Sequence, residues 1–349
     1  MIYFPFNEYW SFYLAFTAFV LVLLALDLGV FHRKAHAVSI REATLWSAAW
    51  VALAMAFNYG FYRYVLQKFT ASASLRAMPG FDPEASARHI GLEFLTGYVI
   101  EKTLSLDNIF VFAVVLGFFA IPAIYQHRVL FYGIIGALVF RAIFIALGSA
   151  LLQYHWMTLL FGGLLILTAI KMLLVPDRQI DPDRNPVIGL VRRMMPVTAE
   201  LHGQSFFVRV KGVLHATPLF LALVFIEVSD ILFAVDSVPA IFAITREPLV
   251  VFTSNVFAIL GLRSMYFLLA AAVERFTLLK YGLAFVLAFV GVKMVWLNDA
   301  FGGKFPVGWS LGIIGGIIAA SIAASLITTR RSIPPIKVAA EEEPTSKIS

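Results

Sequence analysis

The sequence of 349 residues contains no cysteine and few charged residues. The absence of cysteine excludes disulfide bonds, thiolate metal sites and thiol redox chemistry within the chain. Charged residues make up 14% of the sequence, whereas soluble domains contain about 25%. Hydrophobic residues make up 60%, and the mean hydropathy is +0.86. This composition predicts an all-α polytopic membrane protein whose surroundings are the lipid bilayer. The net charge of +6 does not indicate nucleic-acid binding, because the basic residues are concentrated in particular loops.

Nine apolar runs are long enough to cross a membrane, which takes about 20 mostly apolar residues. The N-terminal segment lacks the basic region of a cleaved signal peptide, so the first run is expected to be a retained helix. The runs predict about nine transmembrane helices at 10–31, 44–66, 90–119, 129–152, 156–175, 214–244, 249–273, 279–297 and 309–328.

Lys and Arg are distributed unequally between the two sides of these spans. If the N-terminus lies outside, the cytoplasmic segments contain 16 of them and the outer segments contain 5. The positive-inside rule therefore predicts an outer N-terminus and a cytoplasmic C-terminus. The largest cytoplasmic piece is the loop 176–213, and its final segment, residues 206–214, favours a short β-hairpin. The tail 330–349, with its two prolines and three consecutive glutamates, is expected to be disordered.

Polar residues recur in the same order and spacing in two blocks, 90–175 and 214–297. In each block six residues separate two acids, and 30 residues separate a later Arg from a Lys. The residues are Glu101, Asp107, Arg141 and Lys171 in the first block and Asp230, Asp236, Arg263 and Lys293 in the second. Each block has three spans, an odd number, so the two cross the membrane in opposite senses. This predicts two inverted three-helix repeats, typical of secondary transporters with a substrate site near the midplane. Helices in 1–66 are expected to be peripheral, and 298–329 forms the last span.

Acidic residues lie inside the first span of each block. A charge near the bilayer centre costs at least about 2.5 kcal/mol and marks an ion or proton pathway. The candidate metal ligands are Glu101, Asp107, Asn108, Glu227, Asp230 and Asp236. Possible supporting residues are Asp27, Arg141, Lys171, Asn255, Arg263 and Lys293.

Helix geometry limits how these acids combine. Residues six apart on a straight helix are rotated by about 120° from one another, so neither Asp230 and Asp236 nor Glu101 and Asp107 face one small ion. One solution is a break in the helix, favoured by Pro122 and Pro239 beyond the acidic segments. The other is that one acid of each repeat meets its counterpart at the centre, while the remaining acids line an approach.

The candidate ligands offer carboxylate, amide and hydroxyl oxygen without sulfur, a set that suits hard divalent ions such as Mg²⁺, Ca²⁺ or Mn²⁺. Two other interpretations stay open. The carboxylates pair only with the buried Arg and Lys residues, or they form a proton relay without metal. We expect the basic residues to keep some acids ionised, or to take the place of the ion when none is bound. No cofactor motif is present.

Three stretches resemble the signatures of the TerC family of membrane proteins, and the Alx branch of that family most. They are Glu101-Lys-Thr-Leu-Ser-Leu-Asp107-Asn108, Glu227-Val-Ser-Asp230-Ile-Leu-Phe-Ala-Val-Asp236-Ser, and the run from Thr253 through Asn255 to Arg263. The resemblance extends along most of the chain. It implies a bacterial inner-membrane protein and an exporter of Mn²⁺, with ion binding by the six candidate ligands. Manganese follows from the resemblance alone, since the residues themselves indicate only a hard cation.

The sequence gives less support to two alternative functions. The family is named for tellurite resistance, and Alx-type members are also described as redox modulators, so a redox or pH-stress component that acts through partners without transport is the main alternative. An intramembrane aspartyl protease would use two carboxylates, but the Gly-x-Gly-Asp pattern of such proteases is absent. We therefore expect a transporter and not an enzyme.

Overall fold

The structure is a computed structural model that describes residues 3–26, 39–152, 154–174, 186–269, 278–302 and 305–331. Asp27 and the tail beyond residue 331 lie outside these ranges, and the side chain of Asp107 is not described. The helices are α1 Phe6–Leu26, α2 Ile40–Ala71, α3 Ala73–Arg76, α4 Pro83–Phe118, α5 Ala123–Leu151, α6 His155–Leu174, α7 Pro186–Met194, α8 Pro218–Phe242, α9 Pro248–Leu260, α10 Leu262–Leu269, α11 Leu279–Val292, α12 Asn298–Ala300 and α13 Val307–Arg331.

Each of the nine apolar runs coincides with a helix or a pair of successive helices. Seven helical stretches of the described residues are long and apolar enough to cross a membrane: α1, α5, α6, α8, α13, the stretch Leu279–Ala300 from α11 to α12, and the bent pair α9–α10. The two long helices α2 and α4 are less apolar, so their membrane crossing stays a prediction. The mainly helical architecture of an integral membrane protein is confirmed.

Helix ends are fixed by local capping. Asp82 accepts hydrogen bonds from the backbone N–H groups of Glu84 and Ala85, and Pro83 occupies the first position of α4. Proline is favoured there because its missing N–H would have had no helical partner. The helix therefore begins seven residues before the predicted span, which took account of apolarity alone. Proline occupies the same early position in α8 and α9.

The predicted hairpin is confirmed as β1, Phe207–Val210, paired antiparallel with β2, Val213–Ala216. Lys211 and Gly212 connect the strands with φ of 52° and 83°. Two successive residues with positive φ form a type I′ turn, whose twist matches that of the strands. Glycine is favoured in such a turn because it adopts positive φ without strain.

The predicted break in the acid-bearing helices is wrong. Helix α4 is continuous past Glu101, and α8 continues through Pro239. The interruptions lie elsewhere: α9 ends and α10 begins around Gly261 with a bend of 41°, and α11 leads into a π-helical turn at Lys293–Leu297. The irregular backbone is therefore next to two buried basic residues, Arg263 and Lys293.

The two predicted three-helix blocks pack on each other reciprocally. The first helix of one block lies against the second helix of the other, so that α4 packs on α9 and α5 packs on α8. The third helices, α6 and α11, pack on one another. Small residues permit this last approach: a Cβ at Gly291 would lie 2.8 Å from the carbonyl oxygen of Gly162. Close packing through small residues is a common device between membrane helices.

Candidate cation site

Arg141 of α5 lies at the centre of a buried polar cluster between α4, α5 and α8. Its side chain is only 2% exposed. Nη1 donates hydrogen bonds to Glu101 Oε1 and, at 3.1 Å, to Ser237 Oγ. Nη2 donates to Asp230 Oδ1 at 3.3 Å. One guanidinium thus joins carboxylates from two different helices, and both carboxylates are themselves buried.

The continuous helix α8 determines which acids take part. Asp230 and Ser237 are seven residues apart, close to two full turns, and therefore share a face. Asp236 is rotated away by about 120° and accepts a hydrogen bond from Thr168 Oγ1 of α6 at 3.1 Å. The structure agrees with one part of the second solution left open by the sequence, since Glu101 and its counterpart Asp230 meet at Arg141; that the remaining acids line an approach stays a prediction. Asp236 faces another helix.

Two amides hold the carboxylates in place. Asn108 Nδ2 donates to Asp230 Oδ1 at 3.0 Å, and Asn255 Nδ2 donates to Glu101 Oε2 at 3.1 Å. Ser105 Oγ, one turn beyond Glu101, donates more weakly to Glu101 Oε1 at 3.4 Å. The amides come from α4 and α9, so each acid is fixed by a neighbouring helix as well as by Arg141.

Several buried oxygens in and beside this cluster accept no hydrogen bond from the described residues. They are Asp230 Oδ2, Asn108 Oδ1, Asn255 Oδ1 and Glu227 Oε2. The large majority of buried polar atoms in proteins have a partner, and a buried acceptor without one costs about 1–3 kcal/mol. Arg141 Nε is buried without a partner as well, but four unpaired acceptors exceed what this one donor can satisfy, and a bound cation would satisfy such oxygens.

Glu227 lies one turn before Asp230 on α8, on the same side of the helix. Its carboxylate occupies the space above Gly136 of α5, where a Cβ would overlap the carboxylate atoms. The side chain is half-buried, in contrast to the fully buried Glu101. Glu227 therefore lies between the cluster and the end of the bundle where α8 begins.

The described side chains do not form a complete metal site. No group of three His, Asp or Glu residues within the described ranges is close enough to hold a metal ion. Arg141 stands between the two acids, which is the paired arrangement that sequence reasoning left open as an alternative. Arg263 and Lys293 are buried in α10 and the π-helical turn, and Lys171 is exposed in the last turn of α6. Asp107 and Asp27 lie outside the described side chains.

A cavity of about 580 Å³ lies at the opposite end of the bundle, where α4 begins and α8 ends. Within it, Glu93 accepts a hydrogen bond from Thr245 Oγ1 at 2.6 Å and lies 3.2 Å from His89 Nε2. Glu247, between α8 and α9, accepts the backbone N–H groups of Tyr3 and Phe4 at 2.8 and 3.1 Å. Burial raises the pKa of the Glu247 carboxyl to about 7; these two hydrogen bonds oppose the shift, and the charge of Glu93 adds to it.

Comparison with known proteins places these helices in a family. Residues 86–333 match the family described as "Integral membrane protein TerC family". The chain belongs to the TerC family. The matched region includes every described residue of the buried cluster, and the resemblance predicted from the sequence is confirmed.

Several bacterial membrane proteins are similar to this chain along most of its length. A Myxococcus xanthus protein named "Uncharacterized membrane protein STKORF319" is 50% identical over 91% of this chain and 92% of its own. A protein of Escherichia coli (strain K12) named "Putative membrane-bound redox modulator Alx" is 44% identical over 87% of this chain and 90% of its own. Its namesake from Photorhabdus laumondii is 43% identical over 88% and 92%. No solved structure matches.

Sequence reasoning missed one half-buried base of this TerC chain. Lys102, beside Glu101, donates from Nζ to the carbonyl oxygen of Ala258 at 3.1 Å. Ala258 lies in the last turn of α9, just before the bend at Gly261, where helical carbonyls lose their partners. Gly261, two residues before Arg263, is a sequence signal for a helix end. Only the fold shows that Lys102 lies next to it.

Proposed function

We propose that this chain is an inner-membrane transporter that exports a divalent metal ion, with Mn²⁺ as the favoured substrate. The observation that carries the proposal is the buried meeting of Glu101 and Asp230, surrounded by carboxylate and amide oxygens that have no donor. Buried ionisable groups inside a membrane protein are costly and mark ion pathways. No enzymatic step is part of the proposal.

The chemistry of the ligands supports a hard cation. Asp230, Glu227, Asn108 and Asn255 contribute oxygen, and the chain contains no cysteine for a thiolate site. Oxygen ligands suit Mg²⁺, Ca²⁺ and Mn²⁺. Manganese is preferred over the other two because of the resemblance to TerC exporters. Asp107 and Asp236 belong to the proposed approach to the site.

The reciprocal packing of α4–α6 with α8–α11 supports two inverted repeats. In that arrangement nine helices cross the membrane, with the N-terminus outside and the C-terminus in the cytoplasm, as the loop charges favour. The site then lies between the repeats, as in other secondary transporters.

The proposed route enters beside Glu227 and leaves through the cavity around Glu93. Glu93 is eight residues before Glu101 on α4, about 12 Å along the helix. Gly97 lies between them at a tight contact: a Cβ there would lie 2.9 Å from Ser254 Oγ and 3.2 Å from Ile241 Cγ2. We propose that this contact closes the site toward the cavity, and that the half-buried Glu227 marks the side from which the ion enters.

Flux of Mn²⁺ into liposomes that contain only the purified protein tests the proposal. We expect uptake by the wild type and loss of uptake in Asp230→Asn. Glu84→Gln is the control, because Glu84 is an exposed acid at the start of α4 whose described ion pair is with the equally exposed Arg88. Equal flux in wild type, Asp230→Asn and protein-free liposomes would contradict the proposal.

A second candidate is a membrane component that acts through partners, since two relatives are named as redox modulators. A chain without cysteine has no thiol of its own for redox chemistry. Absence of flux by the pure protein, with restored metal tolerance in cells, would favour this candidate.

A further inference from the structure

The buried cluster already holds a cation in the form of Arg141. Its guanidinium bonds one oxygen of Glu101 and one of Asp230, and the side chain is almost completely buried. A guanidinium keeps its charge at any physiological pH. The two acids are therefore partly neutralised in the absence of any metal, whereas two buried carboxylates without a cation would be strongly destabilised.

A divalent ion and this guanidinium compete for the same carboxylates. The unpaired oxygens Asp230 Oδ2 and Asn108 Oδ1 border the cluster, and an ion bound to them would lie close to the Arg141 charge. Repulsion between like charges at such distances is strong where water is excluded. Simultaneous occupation by both cations is therefore unfavourable.

We propose that Arg141 is a built-in competitor of the transported ion: the metal displaces it from Glu101 and Asp230, and its return expels the metal. This rests on the proposed function and adds a mechanism of release. Ser237 Oγ, which also accepts from Arg141 at 3.1 Å, is a neutral partner along which the guanidinium withdraws. Because the guanidinium does not titrate, this exchange itself needs no proton.

The structure distinguishes Arg141 from Arg263, its counterpart in the predicted repeat. Arg263 lies in α10, beyond the bend at Gly261, and its side chain makes none of the described hydrogen bonds to Glu101 or Asp230. The described contacts of Glu101 and Asp230 thus single out Arg141, and Arg263→Gln, which removes the same charge from the counterpart position, is the matched control.

Calorimetric titration of Mn²⁺ into wild type, Arg141→Gln and Arg263→Gln in detergent tests the inference. When only a small fraction of the protein is in the state that can bind Mn²⁺, the apparent affinity for Mn²⁺ is reduced by that fraction. We expect Arg141→Gln to bind Mn²⁺ roughly tenfold more tightly or better, and to release it more slowly in stopped-flow chelation. Arg263→Gln should not bind more tightly than wild type. Equal or weaker binding by folded Arg141→Gln would overturn the inference.

Free guanidinium gives a second, independent test. In Arg141→Ala, added guanidinium should fill the space of the missing side chain and weaken Mn²⁺ binding competitively, whereas wild type should be unaffected. If Arg141→Gln does not fold, the Mn²⁺ affinity of Arg141→Lys and the guanidinium competition replace it as the test. Lys keeps the positive charge but lacks the planar guanidinium that joins two carboxylates. Lack of guanidinium competition would contradict the proposal. Lack of Mn²⁺ binding by wild type would instead refute the proposed function itself.

Discussion

Asp230 and Asp236 lie on one unbroken helix and face different partners. Asp230 accepts hydrogen bonds from Arg141 and Asn108 in the buried cluster, whereas Asp236 accepts one from Thr168 of α6. Six residues of α-helix impose this separation. If the chain is the proposed transporter, the two acids are expected to have different tasks, even though their settings in the sequence are alike.

The first prediction separates binding from access. We expect Asp230→Asn to weaken Mn²⁺ binding by about 1.5–3 kcal/mol, the value of a charged interaction, or roughly 10- to 100-fold. Asp236→Asn should abolish flux but change equilibrium binding little, because Asp236 lies on the approach. Calorimetry and liposome flux on the same preparations measure both quantities. Loss of binding in Asp236→Asn and its retention in Asp230→Asn would reverse the assignment.

The helices were predictable because apolar length is a strong signal, and the errors have local causes. The beginning of α4 was missed because the Asp82 cap and Pro83 extend the helix beyond its apolar part. Proline at 239 suggested a break that α8 does not have. The bend at Gly261 lies beside tertiary contacts, such as that of Lys102 with Ala258, which spacing along the chain does not reveal.

The acids and amides of the site were predictable because polar residues in apolar runs are conspicuous. Their partners were not. Arg141 and Arg263 have the same spacing to a later lysine, yet only Arg141 reaches Glu101 and Asp230 in the described structure. The bend between α9 and α10 places the residues after it on a different path, so an equivalence in sequence did not become an equivalence in geometry.

The second prediction concerns the space that Glu227 occupies. In Gly136→Ala the new methyl group overlaps the Glu227 carboxylate and displaces it. We expect flux to fall at least as far as in Glu227→Gln. Gly163→Ala on α6 is the control, because nothing lies within 4 Å of its Cβ, and both changes should raise helix propensity by up to about 1 kcal/mol. Normal flux in Gly136→Ala would show that Glu227 does not need this position.

The third prediction concerns Lys102, the half-buried amine near the bend. Lys102→Met keeps the length and apolar stem of the side chain but leaves the Ala258 carbonyl without its donor. Loss of one partner from a buried hydrogen bond costs about 1–3 kcal/mol, so we expect a lower melting temperature in detergent. Lys68→Met, at the more exposed end of α2, is the control and should melt like wild type. Equal melting temperatures for the two variants would mean that the hydrogen bond does not stabilise the bend.

The last prediction concerns pH and the Glu247 carboxyl, which anchors Tyr3 and Phe4 outside the spans. Its pKa is raised from 4.5 to about 7, chiefly by burial, so the folded protein binds this proton more tightly than the unfolded chain. The contribution of this carboxyl to the free energy of unfolding is fully present below pH 4.5 and is lost as the pH rises through 7. The melting temperature of wild type should therefore fall between pH 5 and pH 8, and Glu247→Gln should flatten that fall, because glutamine stays neutral. A variant with the same pH dependence as wild type would assign the titration to another group.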